Sequence, residues 1–121
     1  MLIEAMLAPA RVTRRDALLV GLLTLAVFSP TLLNGWVEWD DQVNFGDNPH
    51  YRGLGWRHLV WMLTVNWNGH WTPLSWLTLG LDYVLWGMNP FGYHLANLLW
   101  HAATAALMYA VAACQSRFAR W

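Results

Sequence analysis

Charge is scarce in this sequence. Charged residues make up 12% of its 121 positions, and seven basic residues balance seven acidic ones. Without a net charge or a basic patch there is no electrostatic footprint for nucleic acid, which is therefore excluded as an expected partner. Cysteine is nearly missing as well. Cys114 stands alone, so no internal disulfide can form, and its presence leaves the redox compartment open. There is no Cys-x-x-Cys pair, no glycine-rich phosphate loop, no serine elbow and no His-Glu-x-x-His, so none of the chemistries those motifs carry is expected. What the chain does have is apolar mass and tryptophan. Hydrophobic residues reach 57%, and eight of the ten tryptophans fall within positions 36–86. The length suits one small domain, but the balance is too apolar for an ordinary soluble one.

Two uncharged apolar runs account for much of that mass. The first covers residues 17–33 and rises roughly 25 Å as a helix, close to the thickness of a hydrocarbon core. Asp16 suits its first turn, and Pro30 should kink or finish it near the far end. A cleaved signal peptide is the alternative, since Arg11, Arg14 and Arg15 would supply the basic flank. The run is longer than a typical signal core, however, and Asn34-Gly35-Trp36 is a poor cleavage site, so an anchor spanning 17–34 is expected. The second run covers 91–113 and is followed by Arg117 and Arg120. Basic residues thus flank the start of one span and the end of the other. The positive-inside rule then puts residues 1–16 and 114–121 in the cytoplasm and 35–90 outside, in the periplasm or its equivalent. The expected location is an integral protein of a bacterial inner membrane or its counterpart.

The segment between the spans is more than a linker. Residues 35–55 are rich in Gly, Asn and Asp and read as turns. Residues 56–65 place Trp56, Leu59, Val60 and Leu63 at helical spacing. Residues 73–86 open on Pro73 and stop at Gly87, with one stripe of Leu74, Leu77, Leu81 and Val84 and another of Ser75, Thr78 and Asp82. Both are too short and polar to span. They are expected to lie in the interface, apolar side toward lipid with Trp at headgroup level, although packing on other protein would give the same stripes. The fold expected is therefore an all-α membrane protein: two transmembrane helices joined by a long outer loop with short interfacial helices.

Three groups of residues carry candidate chemistry. Asp40 and Asp41 follow the outer end of the first span, where carboxylates beside low-dielectric material can serve as a base or hold a metal; a solvated pair capping a turn would look the same. The 66–74 stretch, with His70, mixes hydrogen-bonding groups and aromatic faces ahead of a helix start. That suits a sugar ring or a phosphate, or simply tryptophans seated among headgroups. In the second span, His94, Asn97, His101 and Thr104 form one polar stripe, readable as a substrate groove or as interhelical hydrogen bonds. The two histidines lie about 10 Å apart along the axis, so a haem or metal would need a ligand from elsewhere. Ala102, Ala103, Ala105 and Ala106 leave the other side open to close helix packing.

The ordered series Trp39-Asp40-Asp41, Asp47-Asn48-Pro49-His50, Leu54-Gly55-Trp56, Trp71-Thr72-Pro73-Leu74-Ser75-Trp76, Leu81-Asp82-Tyr83, Leu85-Trp86-Gly87-Met88-Asn89-Pro90 and Gly92-Tyr93-His94-Leu95-Ala96-Asn97, closed by His101, carries a resemblance. It resembles the N-terminal membrane region of the tetratricopeptide-repeat-containing membrane glycosyltransferases, relatives of the protein O-mannosyltransferases in the GT-C class. The resemblance implies transfer of a sugar from a polyprenyl-phosphate carrier to a protein or glycan hydroxyl outside the cytoplasm, with inversion at the anomeric centre. It assigns Asp40 as the general base and Asp41 as its support, or as a ligand to a divalent metal ion. His70, beside the Trp71-Thr72-Pro73-Leu74 motif, and Asp82, His94, Asn97 and His101 are the candidate substrate contacts. The chain ends soon after the second span and shows no repeat period, so the expectation is an N-terminal part of such an enzyme. It would depend on lipid and on the remaining transmembrane helices, or a partner subunit, and be inactive alone. The alternative is a non-catalytic membrane module or remnant.

Overall fold

A computed structural model describes residues 13–118, with side chains described through Gln115. Arg11 and Arg120, the side chain of Arg117, and most of the expected cytoplasmic ends lie outside the described residues. Every regular element is helical, and no strand occurs among the described residues. In chain order these are α1 (Arg14–Phe28) running into a 3-10 turn (Ser29–Leu33), a π-helical turn (Gln42–Gly46), α2 (Trp56–Thr64), α3 (Pro73–Trp86) and α4 (Pro90–Phe118).

The chain divides into two compact units, one of Met1–Ser29 with Leu98–Trp121 and one of Pro30–Asn97. In the first, α1 opens on a capping box. Thr13 Oγ1 accepts the Asp16 amide at 3.3 Å, while Asp16 accepts the Thr13 amide at 2.6 Å. Asp16 thus satisfies an orphan donor and adds negative charge at the positive end of the helix. Pro30 has no amide to donate, and the helix tightens into the 3-10 turn from Ser29 onward. Gly21 gives the close approach expected for the alanine-rich side of α4. A methyl there would sit 3.6 Å from both the Ala102 carbonyl oxygen and the Ala106 methyl. Phe28 meets the His101 ring edge-on at 5.0 Å. By length and composition, Arg14–Leu33 and Pro90–Gln115 are candidate membrane spans. The leucines at 18, 19, 22 and 23 point away from protein, as lipid-facing side chains would.

The second unit is held by aromatic packing. Tyr51, Met62, Trp76 and Tyr93 form its buried centre, with Phe45, Leu59, Trp61, Trp67 and Tyr83 packed against them. Helices α2 and α3 pack on one another. Their inward faces differ from the stripes read in the sequence. Trp56 is 79% exposed and Leu74 77%, and Val60, Leu63, Leu81 and Val84 also face outward. Of the apolar stripe residues only Leu59 and Leu77 pack on the core, and they are joined there by Trp61 and Met62 on α2 and by Trp76, Leu79 and Gly80 on α3. Both helices are apolar on two sides, and spacing alone does not say which side the protein takes. The outward side is what a helix bordering lipid would present.

Gly80 marks where α3 comes closest to the loop before α2. A methyl there would clash with the end of Met62 and sit 3.2 Å from the carbonyl oxygens of Tyr51 and Gly53. Met62 can swing aside, but the two carbonyls are backbone and cannot. Gly80→Val is therefore expected to destabilise this unit by about 1–3 kcal/mol, seen as a lower unfolding midpoint in detergent, with membrane insertion unchanged.

Candidate functional site

The site is built on a short turn and a tight hairpin. Asp40 and Asp41 start a helical turn that widens into the π-helical Gln42–Gly46. Asp41 folds back, and its Oδ2 accepts the Val37 amide at 2.8 Å. At the other end Gln42 Nε2 donates to Asp47 Oδ1 at 2.8 Å. Arg52 donates to the carbonyls of Phe45 and Gly46, both at 2.7 Å, placing a cation where the turn leaves its carbonyls unpaired. The turn is thus clamped at both ends while the Asp40 side chain remains free of these clamps.

The hairpin is Trp67 to His70. Their backbones exchange hydrogen bonds at 3.0 and 2.9 Å around Asn68 (φ 49°) and Gly69 (φ 81°). Positive φ at both central positions is the two-residue turn that Asn-Gly favours. Trp67 Nε1 donates to Asn44 Oδ1 at 3.0 Å, which ties the hairpin to the turn carrying Asp40.

Between them lies a cleft of about 540 Å³. Phe45, Trp67, Trp76 and Leu79 supply its apolar walls. Asp40, Asn44, Asn68, His70, Thr72 and Ser75 supply polar groups. Such a mixture, apolar walls with a few convergent polar groups, is the usual make-up of a small-ligand site. Trp76 is deeply buried, and its Nε1 has no hydrogen-bond partner.

The expected site residues divide. Asp40 and His70, thirty positions apart, line the same cleft. Asp41 does not; it borders a smaller cavity of about 100 Å³ with Trp36, Gln42 and Met88. The adjacent acids therefore point into different spaces. Among the described residues no three His, Cys, Asp or Glu side chains converge as metal ligands would. With one Asp41 oxygen already bonded to an amide, this donor set does not fit the divalent ion expected at Asp41, and no step is derived through one.

Asp82 is 7% exposed and lines neither cavity. Its burial pushes the carboxyl above the usual carboxylate range. The neutral acid is therefore the form that favours folding. That contribution is complete below the ordinary Asp range and is lost as pH rises through the elevated folded value. Asp82→Asn is expected to unfold at a higher temperature than the parent at pH 7, and the gap should close as pH is lowered through the Asp range. His94 is half-buried with Nε2 enclosed and unpartnered, while Asn97 is exposed; both lie outside the cleft lining. His101 is exposed on α4 against Phe28. Sequence reasoning passed over Asn44 and the Trp76 indole, and took in Asn68 only as part of the 66–74 stretch. The Asn68-Gly69 pair was the available signal, because it announces a hairpin whose flanking side chains emerge on one face.

No family model matches the chain, and no solved structure matches it. One short likeness is present, to the protein O-mannosyl-transferase Tmtc1 of Drosophila melanogaster. It is 42% identical over 45 residues, covering 37% of this chain and 5% of that protein's length.

Proposed function

We propose that this chain is part of a membrane glycosyltransferase that moves a sugar from a polyprenyl-phosphate carrier to a hydroxyl of a protein outside the cytoplasm. The observation carrying the reading is the placement of Asp40: an acid on a clamped turn, opening into a cleft with aromatic walls and neutral hydrogen-bonding groups. The candidate spans and the short likeness to an O-mannosyl-transferase support it, and that relative's name favours a protein acceptor over a glycan.

The chemistry asks little beyond this geometry. The acceptor hydroxyl oxygen attacks the anomeric carbon and its proton passes to the Asp40 carboxylate. The bond from that carbon to the phosphate oxygen breaks, and the polyprenyl phosphate leaves with the electron pair. A single displacement inverts the anomeric centre. Asp41 holds the Asp40 turn in place through Val37 and does not touch the reacting atoms. Further membrane helices, of the same protein or of a partner, enclose the carrier. In this reading Asn97, exposed on α4, is a candidate contact to them, and both chain ends are in the cytoplasm.

The test is transfer of labelled sugar from a polyprenyl-phosphate donor to a threonine peptide by membranes carrying the complete enzyme. Label appearing on the threonine oxygen supports the reading; none, in membranes where the protein is inserted, removes it. Topology is checked in a Cys114→Ser background. Gln42→Cys should react with an impermeant maleimide from outside and Ser116→Cys only after permeabilisation, and the reverse pattern would put Asp40 on the wrong side.

A further inference from the structure

The Asp40 cleft has one fixed charge, and it is negative. Its other polar groups, Asn44, Asn68, Thr72 and Ser75, are neutral, and His70 is its lone ionisable base. Among the described residues no arginine lines it. Arg52, the nearest in sequence to the Asp40 turn, already donates to the Phe45 and Gly46 carbonyls. An anion entering the cleft would meet the Asp40 carboxylate with no guanidinium to offset it. A neutral group would meet hydrogen-bonding partners among Asn44, Asn68, Thr72 and Ser75.

We propose that this cleft is an acceptor subsite selective by charge: it takes a hydroxyl-bearing polypeptide segment with neutral or basic neighbours and rejects segments with acidic residues beside the hydroxyl. This rests on the glycosyltransferase reading for its choice of a polypeptide. The volume, about 540 Å³, leaves room for the hydroxyl residue and its immediate neighbours, so selection acts on the flanking positions. The donor phosphate, on the same charge argument, is held elsewhere.

The experiment is calorimetric binding of three amidated, acetylated tripeptides to the chain in nanodiscs: Ala-Thr-Ala, Lys-Thr-Lys and Asp-Thr-Asp. The first two should bind and the third should bind roughly tenfold more weakly, the size of effect a second negative charge near Asp40 produces at a protein surface. Asp40→Asn should bring Asp-Thr-Asp to within about twofold of Ala-Thr-Ala. Equal binding of all three peptides, no binding of any, or discrimination that survives Asp40→Asn would each overturn the proposal. The transfer assay keeps the two readings apart. Transfer without charge preference would leave Asp40 as base and sink the subsite; charge-selective binding without transfer by the complete enzyme would do the opposite.

Discussion

Replacing Asp40 by asparagine is expected to lower sugar transfer by about 10²- to 10⁴-fold, the usual contribution of a general base, while insertion and binding of a neutral acceptor peptide persist. Asparagine keeps the shape and the hydrogen-bonding oxygen but cannot take a proton. The neighbouring acid gives the sharper comparison. Asp41 accepts the Val37 amide, and an asparagine oxygen can do the same. Asp41→Asn should therefore retain most activity, whereas Asp41→Ala, which releases the turn, should lose more. If Asp41→Asn were as inactive as Asp40→Asn, the two acids would share one role and the division between their cavities would be misleading. Initial rates at saturating acceptor, measured for all three variants, decide between these outcomes.

The resemblance gave the two acids different roles, but their residues and spacing did not. Both follow Trp39 and both precede a turn; what separates them is which backbone amide lies within reach, and no periodicity encodes that. The candidate spans were legible because a long uncharged run has few other uses, and the ends of α3 were legible because Pro73 and Gly87 punctuate it chemically. The faces of α2 and α3 were not. When Leu74 and Trp76 are both apolar, and so are Leu81 and Leu79, the pattern marks two stripes and leaves the choice to tertiary packing. The cleft itself depends on pairs far apart in the chain, Asn44 with Trp67 and Asp40 with His70, which a local reading cannot join. One part was available: Asn68-Gly69 signals a tight hairpin, and a hairpin there brings Trp67 and His70 side by side.

Tyr51→Ala is expected to be the most damaging change to stability in the Pro30–Asn97 unit, at about 3–5 kcal/mol. Tyr51 is fully enclosed, with its ring 5.9 Å from that of Phe45, 6.0 Å from Trp76 and 6.1 Å from Tyr83. Phe45 belongs to the turn that carries Asp40 and Trp76 to α3, and both line the cleft, so the ring of Tyr51 contacts two of its walls. Truncation leaves a void that aromatic neighbours on separate elements cannot easily close, and the cleft should lose its shape along with the core. Tyr51→Phe isolates the hydroxyl. That group lies 3.2 Å from the Tyr93 hydroxyl and 3.4 Å from Met88 Sδ, while Tyr93 separately donates to the Gly87 carbonyl at 3.0 Å. Tyr93 keeps that bond when the Tyr51 hydroxyl is gone, so Tyr51→Phe should cost only about 1 kcal/mol. Near-ultraviolet circular dichroism on heating would report the aromatic core directly. Tyr51→Ala should lose that signal well below the parent's midpoint while the far-ultraviolet helical signal of α1 and α4 persists. A loss of equal size in Tyr51→Phe would mean that the hydroxyl pair, rather than the ring, holds this core together.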